Sequence, residues 1–173
     1  MKILVTYFTL SGNTEKIAKA IFDEVSKKNE ADLKKINEVN AAAFNNYELI
    51  FVGTPAHAGD LAAPVKELLN SLPKSPKYKL AGFITHMSEI WQKQGHDSVR
   101  VAFEKICKEK GINYVGTYNC QGNPDPNVAK MVKEARKIPD DEFNKYMEEA
   151  KKHPSLEDEQ NAKKFAKKIL SKK

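Results

Sequence analysis

The apolar residues of this chain of 173 residues alternate between short continuous runs and segments with a helical period. The continuous runs predict five strands, the second being the weakest, at residues 3–8, 31–36, 47–55, 80–85 and 112–120. Between them, apolar side chains recur on one helix face, as Ile17, Ile21 and Val25 do. Near-continuous apolar runs are typical of parallel strands buried on both faces. The alternation therefore predicts an α/β fold of βαβ units with right-handed crossovers.

The helical segments complete this pattern and extend it beyond the last strand. They predict helices at about 14–28, 62–72, 96–110, 127–137, 140–152 and 156–171. Ser155 and Asp158 resemble a capping box that would open the last helix. Because the chain has no visible linker or repeat and a length typical of one domain, we expect a single domain over residues 1–173.

Composition bears on the cellular compartment of the protein and on whether it binds a metal. There is no run of 18 apolar residues, so no membrane span is predicted, and the N-terminal run is too short for a signal peptide. Cys107 and Cys120 show neither CxxC nor metal-ligand spacing. We therefore expect a cytoplasmic protein with two reduced thiols, of which Cys120 is buried and inert, and no metal site.

The net charge of +6 is concentrated towards the C-terminus, since residues 127–173 hold 13 basic and 9 acidic side chains. Lysines alternate there with glutamates, and no basic stripe with interleaved aromatic residues is present. The pattern favours a solvated helical surface over a nucleic-acid interface. It also favours an acidic protein partner over a basic one.

The turn between the first strand and the first helix carries the strongest chemical signal, Thr9-Leu10-Ser11-Gly12-Asn13-Thr14. A helix N-terminus favours an anion, and hydroxyl and amide side chains add further donors. Because the turn has no Lys or Arg, the donors are neutral, which favours a single phosphate over a triphosphate with magnesium. The patterns GxxxxGK[ST] and GxGxxG are both absent here. An ordinary helix cap is the alternative, although four donor side chains in six residues exceed what a cap requires.

Residues 5–16 resemble the FMN-phosphate loop of the flavodoxin family, [TS]-x-[TS]-G-N-T, without interruption. The resemblance implies FMN as the cofactor, with its phosphate on residues 9–14. It also implies a flavodoxin-like three-layer sandwich, in which a five-stranded parallel sheet of order 2-1-3-4-5 has helices on both faces. In that order the ligand site lies at the carboxyl ends of the strands, near strands one and three.

The loop after the third strand resembles loops that hold the flavin ring in quinone reductases and other proteins of this fold. The residues implied to contact the cofactor are Thr54, Pro55, Ala56, His57, Ala58, Gly59 and Asp60. Reduction places a proton on N5 of the flavin, and a glycine peptide that rotates can offer its carbonyl as acceptor. Gly59 is the candidate for that peptide, unless it only permits a tight loop. His57 stands where related loops carry a stacking aromatic, and a cation there would favour the reduced flavin.

The loop after the fourth strand departs from the family pattern, because it has no glycine before Gly95. The residues predicted to contact the cofactor there are Thr85, His86, Met87, Ser88 and Trp91. His86 and Ser88 are candidates for hydrogen bonds to the pyrimidine ring. Trp91 is either the second stacking wall or a packing residue for the next helix.

The segment of about 123–154 is extra to the alternating pattern. It either covers the cofactor edge, forms a subunit contact or packs against the domain, and simple packing is favoured.

Three functions are compatible with these features. The favoured one is an FMN electron carrier between redox proteins, including acidic ones such as ferredoxin. The second is an FMN-dependent NAD(P)H–quinone-type oxidoreductase, which would bury the flavin edge at an oligomer interface. The third, a binding domain that has lost flavin, conflicts with the intact phosphate loop. Oligomeric state therefore distinguishes the first two, and an oligomer is compatible with the sequence.

Overall fold

The computed structural model describes residues 1–87 and 95–171 of the chain. Its strands are β1 (Lys2–Tyr7), β2 (Glu30–Lys35), β3 (Leu49–His57), β4 (Asp60–Leu61), β5 (Lys79–His86) and β6 (Asn113–Gln121). The sheet has the order β2-β1-β3-β5-β6, with all neighbours on this path parallel. The predicted order of five parallel strands is therefore confirmed. The two-residue β4 was not predicted and pairs antiparallel with the end of β3.

The described helices are α1 (Asn13–Val25), α2 (Ala63–Ser71), α3 (Gly95–Lys110), α4 (Pro126–Arg136), α5 (Asp140–Ala150) and α6 (Leu156–Ser171). Two 3-10 helices, Ile36–Glu38 and Ala41–Asn46, lie between β2 and β3. The end of α1 differs most from its prediction, since it stops at Val25 rather than near residue 28. The side-chain Nδ2 of Asn29 donates to the Val25 carbonyl at 2.9 Å and thereby caps the helix early.

The sheet is buried on both faces, which makes a three-layer sandwich. On one face, Ile3, Val5 and Phe51 belong to a core shared with α1 and α6. On the other face, Leu4 and Ile50 belong to a core shared with α2 and α3. The alternation along β1 follows from the two-residue period of a strand.

The last helix packs on α1 as its pattern predicts, with Ala162, Ala166 and Ile169 buried. Its capping box is confirmed, because Ser155 N donates to Asp158 Oδ2 at 2.6 Å and Asp158 N donates to Ser155 Oγ at 3.2 Å. Cys107 and Cys120 are both buried thiols, and burial raises the pKa of Cys107 to about 12. Within residues 1–87 and 95–171, no helix is long and apolar enough to cross a membrane.

Parallel pairing brings the carboxyl ends of β1, β3, β5 and β6 to one edge of the sheet. The pairing continues past the strands, because Phe8 N donates to Gly53 O at 3.0 Å and Gly122 N donates to His86 O at 2.9 Å. The residues that follow β1 and β6 are thus bound by their backbone to β3 and to the end of β5.

Candidate functional site

A pocket of about 520 Å³, open to solvent, lies at the carboxyl edge of the sheet. Four segments line it, and their residues are Thr9, Leu10, Ser11, Asn13 and Thr14; Pro55, Ala56 and His57; Thr85, His86 and Met87; and Gly122, Pro124, Asp125 and Val128. Three of the four segments are those predicted to meet at this edge.

The loop before α1 leaves the N-terminus of that helix without a side-chain cap. Gly12 is the N-cap at φ 85°, and no side chain accepts a cap hydrogen bond in the first turn. The Gly12 amide donates instead to Thr9 Oγ1 at 3.0 Å, which closes the loop on itself. A Cβ at Gly12 would meet no atom within 4 Å, so glycine is required here by backbone conformation rather than by space. An uncapped helix N-terminus of this kind fits an external anion.

Asn13 ties this loop to the end of β6. Its Nδ2 donates to Ser11 Oγ at 2.8 Å and to Asn123 O at 2.7 Å, and Asn123 N lies 3.2 Å from its Oδ1. A Cβ on Gly122 would lie 2.8 Å from Asn13 Nδ2, so this close approach requires glycine. The segment that begins at Gly122 is thereby held against the loop of residues 9–14.

Thr14 and Thr85, both predicted as cofactor contacts, meet directly. Their Oγ1 atoms lie 2.9 Å apart in a buried hydrogen bond that joins the start of α1 to the end of β5. Each hydroxyl therefore already has a partner inside the protein.

The residues predicted to hold the flavin ring at the end of β3 and after it lie on two different sides of the molecule. Pro55, Ala56 and His57 line the pocket, and the exposed His57 ring meets the edge of Phe8 at a centroid distance of 6.3 Å. Ala58 and Gly59, at φ 50° and 79°, form the two-residue turn between β3 and β4. Thr54 is buried, and its hydroxyl accepts from Ala62 N at 3.1 Å.

Gly59 and Asp60 line a second groove, of about 840 Å³, between α2 and α3. Asp60 Oδ2 accepts from Lys66 Nζ at 2.5 Å, and this hydrogen bond lowers the pKa of the carboxyl, against a smaller effect of burial. In the described structure, the turn thus faces away from the pocket that the residues just before it help to form.

His86, at the end of β5, is 4% exposed and lines the pocket. Its ring stacks on His96 at the start of α3, with centroids 4.6 Å apart and an interplanar angle of 18°. Its Nε2 lies 3.2 Å from Asn119 Oδ1. Met87 also lines the pocket, whereas Ser88 and Trp91 lie outside the described residues.

The residues that line the pocket agree with an anion site built from neutral donors. Among its described lining residues there is no Lys or Arg, and the single carboxylate is that of Asp125. Asp125 caps α4 by accepting from Asn127 N at 2.9 Å and from Val128 N at 3.3 Å. The carboxylate therefore accepts hydrogen bonds from the first turn of α4.

Gly122, Pro124, Asp125 and Val128 line the pocket but were not among the predicted cofactor contacts, although a cover over the cofactor edge was one alternative for the segment of about 123–154. Their place directly after the last strand is the signal that identifies them, because the carboxyl ends of parallel strands share one edge.

Comparison with known proteins agrees with this fold. The family model described as "Flavodoxin domain" matches residues 4–167. The chain is 30% identical, over 99% of its length and 98% of the relative, to "Flavodoxin-like domain-containing protein BilS" of Clostridioides difficile. Oxidised Flavodoxin 2 from Bacillus cereus superposes with a TM-score of 0.70 at 20% identity, covering 100% of both chains. A Fusobacterium nucleatum flavodoxin variant bound to flavin mononucleotide superposes with a TM-score of 0.54 at 17% identity, covering 72% of this chain and 78% of that one.

The chain therefore belongs to the flavodoxin family, as the phosphate loop implies. FMN, predicted from that loop, is the cofactor of this family.

Proposed function

We propose that this protein is an FMN-binding electron carrier that passes electrons between redox proteins. The uncapped N-terminus of α1 carries the proposal, because it offers neutral donors to an anion in a pocket without a described Lys or Arg. Flavodoxin domains bind FMN and transfer electrons, and this domain covers nearly the whole chain.

In this proposal, each segment that lines the pocket has its own role in binding FMN. The loop of residues 9–14 holds the phosphate, with Thr9 and Gly12 fixing its backbone and Asn13 fixing its position against residues 122–125. Pro55, Ala56 and His57 form one wall for the flavin ring, and His86 and Met87 form another. FMN supplies reversible one-electron and two-electron chemistry when bound. The protein excludes water, orients the ring and controls hydrogen bonding to it.

The proposed setting is the cytoplasm, because Cys107 and Cys120 are thiols. We propose an acidic partner, such as a ferredoxin, from the excess of basic over acidic residues. A single working domain is also proposed, in which the start of the 123–154 segment, with Pro124, Asp125 and Val128, supplies part of one wall of the pocket.

An FMN-dependent NAD(P)H–quinone-type oxidoreductase is the second candidate. It is favoured by the loop of residues 53–63, which resembles that of quinone reductases, and it predicts an oligomer. The carrier predicts that the flavin edge stays accessible in a monomer.

The test is an anaerobic titration of the chain after reconstitution with FMN. The carrier predicts a yellow 1:1 complex that is reduced by dithionite in two resolved one-electron steps and only slowly by NAD(P)H. Rapid two-electron bleaching by NAD(P)H in an oligomer would favour the reductase. A chain that does not retain FMN would contradict both.

A further inference from the structure

Exposed apolar side chains gather at the mouth of the candidate FMN pocket. Among the described residues, six large apolar side chains are exposed, and two of them, Leu10 at 69% and Val128 at 45%, also line the pocket. A third, Met131 at 69%, lies three positions after Val128 on α4 and therefore on the same side of that helix. Single exposed apolar residues are ordinary, whereas a cluster beside a site indicates an interaction surface. Leu10, Val128 and Met131 are called the rim patch below.

The packing of α4 leaves an apolar stripe uncovered. Ala129 is buried and Val132 is half-buried, so these two positions face the domain. Val128, Met131 and Ala135 recur at i, i+3 and i+7 along the helix, and all three are exposed. An apolar stripe with this period is normally covered by neighbouring structure. Its exposure beside the pocket therefore indicates a surface that another molecule covers.

The charges around the rim patch favour an acidic partner. Residues 125–137 include four basic and two acidic side chains. Lys130 and Lys137 are exposed, whereas the carboxylate of Asp125 accepts hydrogen bonds from the start of α4. An apolar centre with a basic rim is complementary to a surface with an apolar centre and an acidic rim. Two copies of this chain would instead bring the same basic helix face to face across a two-fold axis.

We propose that the rim patch is the docking surface for an acidic redox protein, whose own apolar residues cover Val128 and Met131. The inference rests on the proposed FMN function and names the surface that the partner uses. Because Leu10 and Val128 also line the pocket, a protein seated here lies against its mouth. So few exposed apolar side chains suit the small interface of a transient electron-transfer complex. One electron passes from the reduced partner to FMN, a proton that the flavin takes up comes from water, and no covalent bond of either protein changes.

The test measures the Kd of an acidic ferredoxin for the parent protein and for Met131→Gln, both reconstituted with FMN. Met131→Gln replaces an apolar side chain by an amide of similar length, and Met131 is not among the residues that line the pocket. We expect the Kd to rise about fivefold to tenfold, because the partner no longer buries an apolar side chain there. The increase should come mainly from faster dissociation. The affinity for FMN and both flavin potentials should stay at the parent values.

Leu156→Gln is the matched control. Leu156 is 70% exposed at the start of α6 and is not among the residues that line the pocket, so the variant makes the same kind of change elsewhere. It is expected to bind ferredoxin as the parent does. Met131→Gln should keep the salt dependence of the parent, because no charge changes, whereas Lys130→Glu should reduce it. Parent-like binding by Met131→Gln, or equal weakening in Leu156→Gln, would overturn the proposal.

Other occupants of the rim patch give different outcomes. A second copy would make the parent a dimer in sedimentation that Met131→Gln dissociates, and a lipid surface would retain the parent, but not Met131→Gln, on phosphatidylglycerol vesicles. Either result with an unchanged Kd for ferredoxin overturns the proposal, as does a parent that holds FMN but binds no acidic ferredoxin. In these cases FMN binding stands and this inference alone fails. If the parent retains no FMN, the proposed function fails, and the docking role fails with it.

Discussion

Asn13 links the loop of residues 9–14 to the far wall of the pocket. Its side-chain amide donates to Ser11 Oγ and, across 110 positions of sequence, to Asn123 O. We expect Asn13→Ala to weaken FMN binding by a factor of about 5–30, because loss of the link between the two walls should cost about 1–2 kcal/mol of binding free energy. Fluorescence quenching of FMN on titration with the FMN-free chain measures this affinity.

Asn13→Asp tests the same link with almost unchanged shape. It removes the donor to Asn123 and places a negative charge beside the proposed phosphate site, so binding should be weaker than in Asn13→Ala. Asn29→Ala is the control, because that side chain donates to Val25 O at the far end of α1. Equal FMN affinity in all four proteins would contradict the assigned role of Asn13.

The buried pair of Thr14 and Thr85 makes a prediction about stability. Either Thr14→Val or Thr85→Val leaves one buried hydroxyl without its partner, which should cost about 1–3 kcal/mol. The double variant should cost clearly less than the sum, because no unsatisfied hydroxyl remains. Urea unfolding of the four FMN-free chains gives this double-mutant cycle. Strict additivity would mean that the two hydroxyls do not interact in solution.

At the level of elements, the carboxyl of Asp158 at the start of α6 is expected to make the free energy of unfolding depend on pH. Burial raises the pKa of Asp158, but hydrogen bonds from Ser155 N, the Ser155 hydroxyl and His153 outweigh it and lower the pKa. A carboxyl with a lowered folded pKa stabilises the fold above its unfolded pKa of about 3.9, and this contribution is lost as the pH falls through the folded pKa.

Asp158→Asn is therefore expected to reduce the free energy of unfolding by about 1–2 kcal/mol at pH 7. The deficit should shrink as the pH falls from 5 to 3, as urea unfolding across this range would show. Asp140→Asn removes a carboxylate that is 85% exposed and paired only with Lys133, so it should have little effect. A deficit for Asp158→Asn that stays constant down to pH 3 would contradict the linkage.

The elements that could be predicted are those whose residues repeat a pattern over several turns or strand positions. The five parallel strands and the capping box at Ser155 follow from such local patterns. β4 has two residues and depends on the turn at Ala58 and Gly59, so no periodicity indicates it. The early end of α1 depends on one side chain, Asn29, within a sequence that would otherwise continue the helix.

The candidate site could be predicted where it belongs to one contiguous loop. Residues 9–14 carry their chemistry locally, and the structure places all of them except Gly12 in the lining of one pocket. The contact between Asn13 and Gly122 joins distant residues, and neither one indicates it alone. The hydrogen bond from Ser98 to the Gly59 carbonyl likewise joins the turn after β3 to a separate helix.

For the whole molecule, the excess of positive charge predicts how the proposed carrier would meet an acidic partner. The rate of electron transfer to an acidic ferredoxin should fall as salt rises, because the Debye length shortens from about 10 Å at 0.1 M to about 3 Å at 1 M. Transfer to a neutral small acceptor should not change. Stopped-flow kinetics measures both, and a rate to ferredoxin that rises with salt would exclude an acidic partner.

Two variants with the same change of charge localise this effect. Lys130 is exposed on α4, the helix whose first residues line the pocket, whereas Lys108 is exposed near the end of α3, at the opposite edge of the sheet. Lys130→Glu should slow transfer to ferredoxin more than Lys108→Glu. Equal effects would indicate that only the total charge matters.

The four walls of the pocket come from residues between 9 and 128, and this spacing has a consequence for biosynthesis. A chain emerging from the ribosome completes its first wall early and its last wall only after β6 has joined the sheet. Cofactor capture therefore follows assembly of the sheet and cannot guide its earlier steps. Once captured, a ligand bound only by the native state stabilises it by RT ln(1 + [L]/Kd). The cellular supply of FMN would thus govern how long newly made chains resist proteolysis, and riboflavin starvation would lower the abundance of the protein without any change in its synthesis.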